Sequence, residues 1–206
     1  MGIFYFPCNF VYWRKIEKHN IYKNTIIDFM DSHEYLFDAD SLISNGSTTF
    51  KRQNEKFSRE NKDFIQDVVW NTVDEVINIL NSKEDTRKIS LSESYITGSW
   101  ISKYKDNATV AMHEHFSGGF HSPSFSIVYI VKDPNERNTL VFVEPFTQSK
   151  STFGMNEQMF DTSLESEIGE GSVIIFPASL QHRVDLMKKP GRIIMSFNIS
   201  STFTNG

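Results

Sequence analysis

The sequence predicts an α+β fold in which helices come first and a compact antiparallel β-unit follows. Before about residue 86, apolar side chains recur at helical spacing; after it, segments become short, β-branched and bounded by turn residues. No strand–helix–strand alternation appears, which argues against a parallel sheet. At 206 residues the chain is one domain by length. We therefore expect residues 1–206 to form a single unit, with 1–86 as mainly helical support and 87–200 as the β-core, the helices packed on one sheet.

Two helices are expected. In "NIYKNTIIDFMDS", Ile21, Ile26, Ile27, Phe29 and Met30 fall at helical spacing. In "ENKDFIQDVVWNTVDEVINILNSK", Phe64, Val68, Val69, Val73, Val76, Ile77 and Leu80 make a stripe of period about 3.6, and Glu60 and Asp63 sit where a helix dipole favours acids. The polar stretch at 44–60, with Asn45-Gly46, reads as a loop or short hairpin. The later segments "KISLSESYITGSWISKYK", "TVAMHEH", "FSIVYIV", "TLVFVEP", "SVIIFP", "QHRVDLM" and "RIIMSFNIS" read as strands of a sandwich or barrel.

Composition narrows the function. The formal charge is −5, with no basic runs, which makes general nucleic-acid binding a poor expectation. Cys8 is the single cysteine, so no disulfide framework forms within the chain; it lies in "FYFPCNFVYW" with no histidine nearby, which speaks against a nucleophile. No apolar run approaches the roughly 20 residues of a membrane span. The N-terminus lacks the charged region and cleavage site of a signal peptide. The expectation is a cytoplasmic protein with no membrane partner.

Three of six histidines crowd into "HEHFSGGFH", immediately before a strand. Side chains two apart on a strand share a face, so His113 and His115 point one way and Glu114 the other. His182 is the only histidine after His121, and it follows the apolar strand Val173–Phe176. Two imidazoles from one strand and a third from a distant one leave the other positions of a metal open. Imidazole suits Fe(II), Zn(II), Mn(II) and Cu(II). Any one of these histidines alone is more simply a hydrogen-bonding residue; the three together point to a metal.

Ten residues beyond His182 stands Arg192. Alternation puts Arg192, Ile194, Ser196 and Asn198 on one strand face, and Ile193, Met195 and Phe197 on the other. A guanidinium in a buried strand needs a partner, and its planar fork suits a carboxylate. The partner is either a ligand or an acidic side chain such as Glu144 or Asp185.

These residues together resemble a family. "GSWISKY", "HEH", "SIVYIV", "GSVIIFPASLQH" and "RIIMSFN" are similar, in order, to the 2-oxoglutarate- and Fe(II)-dependent oxygenases, and more narrowly to a group common in bacteria and their phages. The early "YFPCNF" also looks like that group's N-terminal segment. The resemblance touches most of the chain and is most specific over 171–198. It implies a double-stranded β-helix, the cupin-like jelly roll. It implies Fe(II) held by His113, His115 and His182, and 2-oxoglutarate as cosubstrate, its distal carboxylate bound by Arg192 and touched by Tyr129, with Ser196 assisting. It implies a hydroxylase that couples O2 and oxidative decarboxylation of 2-oxoglutarate to oxidation of a C–H bond in a small-molecule or peptide substrate. The sequence departs at one place: the wider superfamily has a carboxylate where His115 stands, and His121 or Glu114 could substitute for it. An imidazole there leaves the centre one unit more positive. The segment 145–165 is long enough to act as a lid or to be an ordinary connection.

Two other readings stay open. "GSVIIFPASLQH" also fits the second cupin motif, with Ser179 in place of a glycine, but Gly119 and Phe120 stand where the first motif needs a glutamate. A jelly roll is equally a scaffold for non-enzymatic phage or structural proteins.

Overall fold

The computed structural model describes residues 2–6, 9–51, 55–82, 89–116, 122–135, 139–143 and 159–205. Among them, eleven strands form two antiparallel sheets. The strands are β1 (Gly2–Phe6), β2 (Asn9–Lys15), β3 (Gly46–Thr48), β4 (Ile89–Tyr104), β5 (Val110–His113), β6 (Phe125–Lys132), β7 (Leu140–Val143), β8 (Met159–Asp161), β9 (Ser172–Pro177), β10 (His182–Val184) and β11 (Arg192–Asn205). The larger sheet runs β1-β2-β9-β6-β11-β4-β3, and the smaller β5-β10-β7-β8. This is the double-stranded β-helix expected, with the helices α1 (His19–Ser32), α2 (Glu55–Glu60), α3 (Lys62–Ile65) and α4 (Asn71–Asn81) on the far side of the larger sheet.

The larger sheet is buried on both faces, and that decides its sequence. Tyr12, Ile127, Tyr129, Ile175, Met195 and Phe197 pack with the helices. Their neighbours Val11, Val128, Ile130, Ile174, Phe176 and Ile194 pack toward the smaller sheet. A strand covered on both sides reads as a continuous apolar run and not as an alternation. For this reason β2 hides in the aromatic N-terminal stretch, although Phe10, Val11, Tyr12 and Trp13 are all buried. The first 86 residues thus supply three strands as well as the helices, where mainly helical support was expected.

The long helical stripe is borne out, with a break. Phe64, Val68, Val69, Val73, Val76 and Ile77 are buried. Glu60 ends α2, and α3 joins α4 through one π-helical turn, Gln66–Trp70. The Arg14 guanidinium donates to the Asp67 carbonyl in that turn, and its Nε donates to Thr72 Oγ1 at 3.1 Å, tying the helix to β2. In α1 the buried stripe is Tyr22, Ile26 and Met30; Ile21 is 64% exposed. The 44–60 stretch holds β3 and the start of α2.

Gly171 opens β9 with φ +82°, and a Cβ there would lie 3.0 Å from His19 Cγ. Only glycine meets both demands without strain. No helix among the described residues is long and apolar enough to cross a membrane.

Candidate metal and cosubstrate site

The space between the two sheets is a cavity of about 280 Å³. Strand pairing brings its three histidines together. β10 lies between β5 and β7, and His182 faces His113 directly across the β5–β10 pair. His115 lies just beyond β5, where its backbone N–H donates to the Ala178 carbonyl at 2.8 Å. Its ring stacks on Trp100 of β4, centroids 5.5 Å apart and planes 20° apart. The ring centroids are 4.2 Å apart for His113 and His182, and 5.2 Å for His115 with either of them. One ligand nitrogen from each lies within 4.8 Å of the others.

The hydrogen bonds fix which nitrogen is available. His113 Nδ1 is 2.8 Å from the Ala111 carbonyl, and His182 Nδ1 is 3.0 Å from the Leu180 carbonyl. A carbonyl only accepts, so both Nδ1 atoms carry the proton and Nε2 keeps its lone pair. Burial holds all three rings neutral. It lowers His113 and takes His182 well below 6.5; His115 falls to about 4, with the neighbouring His113 adding to the effect. Neutral, tautomer-fixed imidazoles are the form a divalent metal needs. The donor set therefore fits Fe(II).

This has a consequence for the metal-free protein. Unfolded histidines take up protons below pH 6.5, whereas His115 in the fold does not until about pH 4. The unfolded state binds more protons across that window, so stability falls as pH drops through it. We expect the melting temperature of chelated protein to decline between pH 6.5 and pH 5, before most carboxylates titrate. A flat profile there would contradict the buried, neutral trio.

Arg192 closes the floor of the cavity at 1% exposure. Its Nη1 donates to Thr139 Oγ1 at 2.9 Å, and its Nε lies 3.6 Å from Asp133 Oδ2, with both side chains 2% exposed. The acidic neighbour is therefore Asp133 of the turn after β6; Asp185 pairs with Arg183 at 2.7 Å, and Glu144 lies outside the described residues. Ile194, Ser196 and Asn198 line the cavity beside Arg192, as the alternation along β11 predicts. Ser126 donates to Asn198 Oδ1 at 2.9 Å.

Tyr129 is elsewhere, and the expectation for it is corrected. It pairs with Met195 in the β6–β11 register and shares its face, against the helices. Its hydroxyl is 2.7 Å from His19 Nδ1. The tyrosine at the floor is Tyr104, which pairs with Arg192 across β4 and β11 and lines the cavity. Burial pushes its phenol up, and the Arg192 charge opposes that rise. The register between β4 and β11 would have identified Tyr104, and no local pattern carries it. Glu114, expected to point away from the histidines, also lines the cavity, because the chain has left β5 by that point. His121 lies outside the described residues, as does most of the 145–165 segment.

Residues 98–198 match the family described as "Putative 2OG-Fe(II) oxygenase". No curated protein matches the chain. Among solved structures, a prolyl-4-hydroxylase from Pseudomonas putida is similar at 11% identity and TM-score 0.56, covering 92% of each chain. HygX from Streptomyces hygroscopicus, solved with nickel and 2-oxoglutarate bound, is similar at 13% identity and TM-score 0.56, covering 89% of this chain and 80% of its own. A Trichoplax adhaerens prolyl hydroxylase in complex with a hypoxia-inducible factor peptide is similar at 10% identity and TM-score 0.54, covering 91% and 82%. At these identities the likeness to solved structures shows the fold.

Proposed function

We propose, for a chain that residues 98–198 place among the 2OG-Fe(II) oxygenases, that His113, His115 and His182 hold the iron and Arg192 seats the cosubstrate. The chain is a 2-oxoglutarate-dependent dioxygenase by family, with Fe(II) and 2-oxoglutarate as its cofactors and O2 and a further substrate as its reactants. Bound here, iron would activate O2, the oxidant, while 2-oxoglutarate would supply two electrons, take up one oxygen atom and leave as succinate and carbon dioxide, the other oxygen atom going to the substrate.

One observation carries the assignment: three neutral imidazoles and a buried guanidinium open onto the same enclosed space. Each group has a separable task. His113 and His182 offer Nε2 lone pairs, and His115 a neutral ring, without first losing a proton, so metal capture needs no ionisation near neutral pH. Arg192 offers fixed donors to a carboxylate, held in place by Thr139 and Asp133. Tyr104, paired with Arg192 across β4 and β11, would orient the same carboxylate, and Ser196 lines the same cavity four residues further along β11. The apolar walls from Val128, Ile194, Phe176 and Leu140 exclude water, which strengthens these polar contacts.

The test is anaerobic addition of Fe(II) and then 2-oxoglutarate, followed by O2. We expect a weak visible charge-transfer band on adding the cosubstrate, and succinate on adding O2. A metal effect without any response to 2-oxoglutarate would indicate cupin-type chemistry, and no response to either would indicate a structural jelly roll.

A further inference from the structure

We propose that the substrate brings a cation, an ammonium or guanidinium group, to a carboxylate-lined cavity mouth; this rests on the oxygenase reading above. The argument is an inventory of charge. Among the described residues, the ionisable side chains lining the cavity are the three histidines, Tyr104, Arg192, Asp40 and Glu114. The histidines are taken up by the metal, whose double positive charge the 2-oxoglutarate dianion would balance, and the Arg192 charge is countered by Asp133. What remains is two carboxylates, Asp40 and Glu114, with no ion-pair partner among the described residues.

Both sit at the open end. Glu114 is exposed and Asp40 is half-buried, whereas Arg192, Ile194 and Ser196 at the floor are buried. Leu42 and Phe50, at 42% and 45% exposure, share that end. The two ends therefore have opposite preferences. The floor suits the anionic cosubstrate, and the mouth repels a second anion.

Asp40 is held in place. Its Oδ1 accepts from the Leu42 N–H at 2.8 Å, which leaves Oδ2 for another donor. The following residues are tied to the iron-binding strand: Ala111 N–H donates to the Leu42 carbonyl and Ser44 N–H to the Thr109 carbonyl, each at 3.0 Å. The carboxylate is close enough for its charge to act on both His113 and Tyr104. Beside it the wall is aromatic, with Phe50 set edge-on to Trp100 at 5.1 Å and Trp100 stacked on His115. Carboxylates next to aromatic faces suit an organic cation on an apolar stem. A neutral substrate entering here would strip water from two anions and return nothing to them.

The test uses protein loaded with Ni(II) and 2-oxoglutarate, which binds without turnover. Nα-acetyl-lysine amide and Nα-acetyl-arginine amide are titrated by calorimetry against their uncharged counterparts, the Nε-acetylated lysine and the citrulline amides. We expect the cationic members to bind at least tenfold tighter, with the preference weakening as salt rises. Asp40→Asn and Glu114→Gln should each reduce the preference, and the double variant should bring it below threefold. Asn retains the acceptor for Leu42 N–H, so the turn is preserved. Equal affinity for charged and uncharged members, no binding of either cation, or a preference that survives the double substitution overturns the proposal. Protein that binds metal and 2-oxoglutarate but fails these comparisons loses only the substrate class; protein that binds neither loses the oxygenase reading itself.

Discussion

His182→Ala should abolish iron binding and, with it, succinate formation. The side chain is buried, pairs with His113 across two strands and is flanked by Phe142 and Phe176. Loss of a residue that merely supports a ligand costs about 10–100-fold in metal affinity, and loss of the ligand itself should cost more. Alanine leaves a small cavity beside Phe142 and Phe176, so the variant should melt somewhat below the parent, and its metal response is read against its own metal-free form. Metal analysis after anaerobic Fe(II) loading is the direct measurement. A second readout is thermal: a metal present at 100 times its dissociation constant stabilises by about 2.7 kcal/mol. That rise in melting temperature should be present in the parent protein and absent in the variant. Iron content equal to the parent's would remove His182 from the ligand set.

Arg192→Ala should leave iron in place and weaken 2-oxoglutarate binding on the order of 100-fold, within the range for truncating one partner of a buried charge pair. A second effect competes with it. Asp133 is 2% exposed and loses its cation, although it still accepts from the Asn135 backbone and side chain. Stranding a buried charge costs about 3–5 kcal/mol, enough to lower the melting temperature sharply. The two effects separate in the pair Arg192→Ala/Asp133→Ala. Removing both charges should recover most of the stability and none of the cosubstrate affinity. Restored 2-oxoglutarate binding in that double variant, or unchanged binding in Arg192→Ala, would show that the arginine is a structural ion pair and no more.

The contrast between Arg192 and Tyr129 marks what the sequence makes legible. Along β11, polar residues at 192, 196 and 198 alternate with large apolar ones, so the faces of the strand can be assigned by counting. Along β6 every residue from Phe125 to Val131 is buried, so nothing in "FSIVYIV" distinguishes the cavity side from the helix side. Only the pairing of Val128 with Ser196 and Tyr129 with Met195 makes that distinction, and register is a long-range property. The three histidines were legible because β5 and its extension carry two of them at a spacing of two, and the third follows a recognisable strand. Asp40 was not legible: it belongs to a polar connection whose only distinction is where the chain passes, against Val110 and Ala111 of β5. The three-residue strands β3 and β8 carry too little pattern to be read locally.

The stacking of Trp100 on His115 gives the molecule a built-in optical reporter. In the proposed centre, an excited indole stacked on a ligand imidazole would lose its energy readily to an open-shell ion held by that ring. The chain has two other tryptophans, and both are spoken for elsewhere: Trp13 stacks on Phe160, and Trp70 packs among the helices. Loading of the centre should therefore dim one emitter of three, so that occupancy can be followed by intrinsic fluorescence, without added dye and before any substrate is in hand.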